Sequence, residues 1–317
     1  MAEPLFIDRT IRYDIVAHCN LSCCGCSRVA PFVSANITPL SQFKNDLIFV
    51  SKYVNFRTLR IIGGEPLLSK DICSYLKFAK DIKFAQSVSL FTNGALLEQQ
   101  QDEFWRLIDK LYVSVYPILK DKLNLRSIKE KADNNSVELI VDYSNDFFEH
   151  VIDYPIPTGK MIRNIYVACK DKRFCNTIHN GVLFRCATAP YIDEYLNKIG
   201  YNANIRFLDG LRLEEARNMT AKIYSYLFSD TPLNCCQYCV GSTGRKLKHR
   251  MLSKQEMSNP KRTKTMENSL SKKALWFGII EENFRVIINR NVHVKRLLKP
   301  LLYLRRKIFF KGGRSPF

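Results

Sequence analysis

The stretch RYDIVAHCNLSCCGC, residues 12–26, decides how the rest of the chain is read. Its first part, Arg12 to Ala17, is short and β-rich, which predicts a strand. Its second part sets Cys19, Cys23 and Cys26 at a C-x3-C-x2-C spacing on the loop that leaves this strand. Working outward, helices are expected near Leu40–Tyr53, Asp71–Lys83, Glu98–Asp109 and Leu123–Ala132. Between them lie β-rich runs at TLRII (58–62), SVSLF (87–91), KLYVSVY (110–116) and VELIVDY (137–143). Strand and helix in alternation are βαβ units, so the fold expected is α/β with a parallel sheet curved as part of a barrel. In such folds the working loops leave the C-terminal ends of the strands. The cysteine loop leaves the first of them.

The chain has 317 residues, enough for one large or two modest domains, and its 46% hydrophobic and 25% charged residues exclude wholesale disorder and a fibrous repeat. The net charge of +19 is unevenly placed. From Arg245 onward there are twenty Lys and Arg against four Asp and Glu, so this segment carries +16 and the first 244 residues only +3. A nearly neutral body with a basic end points to a tail that meets an anionic surface. The N-terminal stretch lacks the apolar core of a secretory signal and no apolar run approaches 18 residues, so a cytoplasmic protein is expected. Thiols stay reduced there, and 11 cysteines at short spacings read as metal ligands, not disulfides.

Three thiolates on one short loop can hold three corners of a 4Fe-4S cube and leave one iron without a protein ligand. The alternative is structural zinc, which usually arrives as paired C-x2-C knuckles. One βα unit later, Gly63-Gly64-Glu65-Pro66 closes the second strand with glycines whose bare backbone a ligand can approach. Together with Phe91-Thr92-Asn93-Gly94 and Val113-Ser114-Val115-Tyr116, these residues resemble the radical S-adenosylmethionine (radical SAM) superfamily over about residues 8–150. The resemblance implies a partial (β/α) barrel, a 4Fe-4S cluster on Cys19, Cys23 and Cys26, and S-adenosylmethionine on the open iron. It also implies that Gly63, Gly64, Glu65 and Pro66 hold the methionyl amino group, with Asn93 and Ser114 among the cofactor-binding residues. Cys24 departs from the pattern and reads as a non-ligand.

The βα rhythm breaks at YPIPTGK (154–160), and Cys169, Cys175, Cys186, Cys235, Cys236 and Cys239 follow. Asn180-Gly181 before VLFRC predicts a hairpin that returns Cys186 toward the first of these. Their spacing resembles the twitch domain, a shortened relative of the SPASM auxiliary-cluster domain. That resemblance implies a second, fully ligated 4Fe-4S cluster on Cys169 or Cys175 with Cys186, Cys236 and Cys239, the loop length favouring Cys169. Packed core thiols are the alternative. The expected division is a barrel over 1–155, a small twitch-like domain over 156–244 and a helical basic tail over 245–317. His18 beside the first cysteine reads as a group that tunes the cluster or shuttles protons, or one that hydrogen-bonds behind it, Cys73 as core, and Trp105 and Trp276 as packing. His150, His179, His249 and His293 form no ligand spacing.

Within Val292–Phe310, apolar and basic residues separate at helical spacing around Pro300, which predicts a peripheral membrane-surface helix over a nucleic-acid contact. The function expected is hydrogen abstraction from a small-molecule or glycan substrate, a sugar dehydrogenase or epimerase in surface-polysaccharide assembly. Cys235 or Cys175 is then the candidate hydrogen donor. An electron donor such as flavodoxin or ferredoxin is implied as partner. The alternatives are peptide maturation, tRNA modification, or a zinc- or cluster-bearing nucleic-acid-binding module.

Overall fold

Alternation along β1 (Leu5–Val16) sets the layers of the molecule. In the computed structural model, which describes residues 3–290, Ile11, Tyr13 and Ile15 pack with Phe43, Leu47 and Val50 of α1 (Leu40–Ser51). Arg12 and Asp14 therefore point to the opposite face, and both are buried there. The same alternation recurs in β2 (Val54–Gly63), β3 (Ala85–Thr92) and β4 (Lys110–Val115): Leu59, Ile61, Val88, Leu90, Leu111 and Val113 join the core. Arg60, Ser89 and Ser114 are buried on the other side. Each such apolar side chain, fully buried, contributes about 1.5–3 kcal/mol, which holds the helices to one face.

The strands expected from sequence are all present, and β5 (Glu138–Tyr143) completes a parallel run in the order β5-β4-β3-β2-β1. The connecting helices α2 (Ile72–Asp81), α3 (Asp102–Arg106) and α4 (Leu125–Asn134) lie where the spacing predicts them, with shifted ends. α4 starts late because the Asn124 side chain accepts from the Ser127 amide and caps it. α3 is shorter than expected because Leu97–Gln99 closes as a separate tight turn.

After β5 the chain leaves this pattern. β6 (Asp146–Phe148) pairs antiparallel with β10 (Lys246–Lys248) in a ribbon of its own. Helix α5 (Gly159–Ala168) follows, and then β7 (Thr177–His179) returns to the free edge of β1, parallel to it, with Arg12 opposite Thr177. The hairpin predicted at Asn180-Gly181 is there: both residues have positive φ, 46° and 76°, and they join β7 to β8 (Val182–Phe184). β9 (Leu211–Arg212) ends the eight-stranded sheet. The fold is thus α/β, a partial barrel whose parallel sheet runs on through β7.

Residues 245–290, grouped with the tail on composition, pack on the body. Cys23 bridges Met251, Gly244 bridges Leu270, and the C-terminal helix Lys272–Arg290 lies on α5. Trp105 is fully buried as expected, but Trp276 is 59% exposed, a correction to its reading as packing. The side of its helix that meets α5 carries Gly278, so Trp276 faces outward. Among the described residues no helix is long and apolar enough to cross a membrane. The amphipathic stretch Val292–Phe310, with Pro300 and His293, lies outside the described residues.

Candidate functional site

The first cysteine loop leaves β1 and is fixed to the ends of β2 and β3 by backbone contacts that only glycine allows. A Cβ on Gly63 would lie 2.1 Å from the Val16 carbonyl oxygen, and one on Gly64 2.0 Å from that of His18. In that close approach the Gly64 amide donates to Val16 (2.7 Å) and the Glu65 amide to His18 (3.0 Å). The Glu65 carboxyl group is fully buried and accepts from the Leu67 amide, the Asn93 amide and the Thr92 hydroxyl at 3.0, 2.8 and 2.7 Å. Burial pushes its pKa up to about 7. Asn93 then donates to Asn20 (2.7 Å) and lies 3.8 Å from Cys19 Sγ, while the Leu21 amide donates to the same sulfur at 3.4 Å. Gly63 to Pro66, Asn93 and Cys19 therefore form one connected network.

Cys19, Cys23 and Cys26 gather beside the half-buried Tyr116 ring, and desolvation together with these neighbouring thiols raises the phenol far above its usual range. Burial also pushes the Cys19 thiol up to about 12, with Cys26 adding to it, and raises Cys23 further. Cys24, next to Cys23 in the chain, is influenced chiefly by burial and then by Arg250 and Lys264, not by Cys19 or Cys26. His249 reaches the site from β10's end, its Nε2 3.2 Å from Cys23 Sγ and its ring stacked on Tyr116 at 5.0 Å. His18 holds the Asn36 backbone and does not face the thiols.

A second group forms from Cys169 at the end of α5, Cys186 after β8, and Cys236 and Cys239 around the turn Asn234–Tyr238. Burial raises Cys239, and Cys186, Cys169 and Cys236 each raise it further, so the four lie together. The Gly241 amide donates to Cys239 Sγ at 3.2 Å and the Thr188 amide to Cys186 Sγ at 3.4 Å. A Cβ on Gly241 would meet Cys169 Sγ at 2.6 Å. Cys175 lies at the margin of this group, where it acts on Cys186, but its sulfur is 3.9 Å from Asp171 Oδ1 and the charges acting on it are Arg12, Asp171, Arg28 and Arg60. Cys235 is buried in a core cluster with Tyr191 and Leu233, hydrogen-bonded to Cys236.

These thiols fit iron–sulfur ligation by their chemistry. Burial raises Cys19, Cys23, Cys169, Cys186 and Cys239, which keep their protons unless a metal replaces them, the hydrogen bond from Cys235 lowers Cys236, and backbone amides aimed at sulfur stabilise the thiolate form. Among the described residues no three His, Cys, Asp or Glu side chains are gathered as a single-ion site. A cubane holds its thiolates further apart than one ion does.

The polar face of the sheet, with the residues packed against it, carries groups that no motif marked. Arg12 and Arg60 stand opposite one another on β1 and β2, both buried, and Arg12 Nε has no hydrogen-bond partner. Burial and the adjacent Arg12 lower Arg60 to about 10. Arg28 grips Asp14 at 3.3 Å, and Thr177 and Tyr191 donate to the same carboxylate. Burial raises Asp14, but Arg28 and His179 outweigh it and hold the group below the usual range. His150 Nε2 lies 3.3 Å from Asp171; burial lowers this imidazole, and the Asp171 contact more than reverses that. For Arg12, Asp14 and Arg60 the only signal was charge on alternate positions of otherwise apolar strands, and for the loop and helix residues Arg28, His150 and Asp171 there was none.

No family model matches the chain. It is 30% identical over 225 residues to a GTP 3′,8-cyclase of Campylobacter lari, covering 68% of this chain and 63% of that protein. A probable GTP 3′,8-cyclase of Methanococcus aeolicus is 30% identical over 208 residues, 62% of this chain and 64% of that one. With the Campylobacter jejuni subsp. doylei protein of the same name the match is 33% over 96 residues, 29% of this chain and 30% of that protein. The chain thus spans less than two thirds of the length of these relatives. A crystal structure of BtrN in complex with AdoMet and 2-DOIA is 16% identical with a TM-score of 0.42, covering 71% of this chain and 83% of that one, a likeness too loose to add to the argument. On the C-x3-C-x2-C loop, the Gly-Gly-Glu-Pro segment bound to it, and these sequence relatives, the chain belongs to the radical SAM superfamily.

Proposed function

We propose that this chain is a radical SAM enzyme acting on a small polar substrate that carries an anionic group, such as a sugar phosphate or sugar nucleotide, by dehydrogenation or epimerisation. The observation that carries the reading is the network joining Cys19 to Gly64, Glu65 and Asn93. In this reading Cys19, Cys23 and Cys26 hold a 4Fe-4S cluster, Gly63 to Pro66 with Asn93 and Ser114 hold S-adenosylmethionine, and Cys169, Cys186, Cys236 and Cys239 hold a second cluster. When bound, the first cluster and its ligand supply a 5′-deoxyadenosyl radical that takes a hydrogen atom from the substrate, and the second cluster supplies an electron acceptor. Tyr116 and His249 shield the first site from water, and Arg12 and Arg60 orient the anionic group. In an epimerase Cys175, on the Arg12 side of the sheet, would give its S–H hydrogen to the substrate radical, and the thiyl radical left behind would regain one electron by way of the second cluster and a proton from solvent; Cys235, packed in a core, would not serve.

The second reading is a cyclisation of a purine nucleotide, favoured by the similarity to GTP 3′,8-cyclases and by the same two arginines. The domain division at 155 and 244, an electron donor of the flavodoxin or ferredoxin kind, and a cytoplasmic location with the tail at an anionic membrane belong to the same proposal. Anaerobically reconstituted protein should bind about eight irons. Changing Cys19, Cys23 and Cys26 to Ala should remove about half of them and abolish reductive formation of 5′-deoxyadenosine. Persistence of 5′-deoxyadenosine in that variant overturns the assignment. Solvent deuterium in the product marks an epimerase, a new carbonyl a dehydrogenase, and turnover of GTP the second reading.

A further inference from the structure

The helix Lys272–Arg290 is apolar on two sides. Its inner side packs on α5, where a Cβ on Gly278 would come within 2.7 Å of the Ala168 Cβ and Leu275 joins Ile152, Ile156 and Ile165. Its two acids also turn inward: Glu281 pairs with Lys170, and Glu282 with Lys172 and Arg173. Its outer side carries Trp276, Phe277, Ile280, Phe284 and Ile287, between 45% and 59% exposed. At 3.6 residues per turn these five span an arc of about 100°. The other exposed residues within or beside the arc are Lys272, Lys273 and Asn283. A helix with a second apolar face needs cover from protein or lipid on that face too, and among the described residues this one has protein on one side only.

Charge says what covers the other. The outer arc has no acid, and the sequence that follows, 291–317, holds eight Lys and Arg and no Asp or Glu. A second copy would set two such cationic segments against each other, and a phosphate-tracking surface has no use for five large apolar side chains. We propose that this outer face of the helix docks in the interfacial region of an anionic membrane, the aromatic and aliphatic side chains entering the headgroup boundary while Lys272 and Lys273 meet lipid phosphates. This goes beyond a membrane role for the tail, because the face belongs to a helix already packed on the body. Ala168, against which that helix rests, precedes Cys169, so the docked surface backs the second cysteine group.

The chain has two tryptophans, and Trp105 is fully buried, so a lipid-induced change in emission reports Trp276. Adding phosphatidylglycerol vesicles to the full-length chain should shift the emission to the blue, with a smaller shift for phosphatidylcholine. The combined variant Phe277→Ser, Ile280→Ser and Phe284→Ser keeps the reporter and should need at least about tenfold more lipid for the same shift. Its substitutions lie on the exposed face, so its melting temperature should match that of the parent chain. No shift with phosphatidylglycerol overturns the proposal without any variant. So does lipid binding unchanged by the triple substitution. Emission that is already blue without lipid and moves red on dilution makes the occupant a second copy; the same red shift on ending the chain at Arg290 makes it the chain's own tail.

Discussion

Asp14 shows how one buried side chain ties the sheet to the loop that follows it. Its carboxylate receives Arg28, Thr177 and Tyr191, joining β1 to β7 and to the segment after the cysteines. Breaking a buried pair by removing one partner costs about 3–5 kcal/mol, because the other charge is left uncompensated. Asp14→Asn should therefore destabilise the protein by that order near neutral pH, read by urea unfolding. The sign with pH follows from the depressed pKa of Asp14 in the fold. Its contribution is present above the unfolded Asp value, near 4, and is lost as pH falls through the lower folded value. The gap between wild type and variant should close as the pH drops below about 4, and a gap independent of pH would remove Asp14 from this role. Gly64 gives a second test at this scale, since a methyl group there meets the His18 carbonyl at 2.0 Å, whereas one on Gly159 meets nothing within 4 Å. Gly64→Ala should lose S-adenosylmethionine binding and Gly159→Ala should retain it, as equilibrium dialysis would show.

The elements differ in how far the sequence exposed them. β1 to β5 and their helices were legible because apolar and polar residues alternate at strand and helix periods, and Cys19, Cys23 and Cys26 because their spacing is local. The Asn180-Gly181 hairpin was legible because few residues accept two successive positive φ values. What stayed hidden depends on distant pairing. Nothing near His249 or Met251 says that this segment crosses some 230 residues of chain to meet the first cysteine loop. Yet the Cys24 amide donates to Arg250, the Leu252 amide to Ser22, and His249 touches Cys23. A composition shift at Arg245 therefore read as a tail what is partly a wall of the site. Ending the chain at Lys248 keeps all eleven cysteines but removes these contacts. Such a chain also lacks the helix Lys272–Arg290, so its iron deficit should exceed that of a chain ended at Ser269 by about four irons, those of the first cluster. A deficit no larger than that of the chain ended at Ser269, with unchanged 5′-deoxyadenosine formation, would detach residues 249–252 from the site.

At the scale of the molecule, both cysteine groups hang on one continuous sheet, since β7 pairs directly with β1. The helix Lys272–Arg290 closes the opposite side of the second group, and its role decides where the chain can be cut. Its inner face covers α5 with Leu275 and Gly278, and Glu282 is buried among Lys172, Arg173 and Arg285. Removing it uncovers Ile165 and leaves two cations beside Cys169 without their acid, so the loss is both apolar and electrostatic. A chain ended at Arg290 loses eight basic residues and none of these contacts. That chain should unfold within a few degrees of the full-length protein, whereas one ended at Ser269 should melt at least roughly 4 °C lower, each kcal/mol lost being worth about 2–4 °C at this size. The loss should fall first on the second cysteine group, seen as iron that leaves Cys169, Cys186, Cys236 and Cys239 while the first loop still binds its own. If both truncated chains melt together, the helix is an appendage, and the contacts at Gly278 and Glu282 contribute nothing that the body needs.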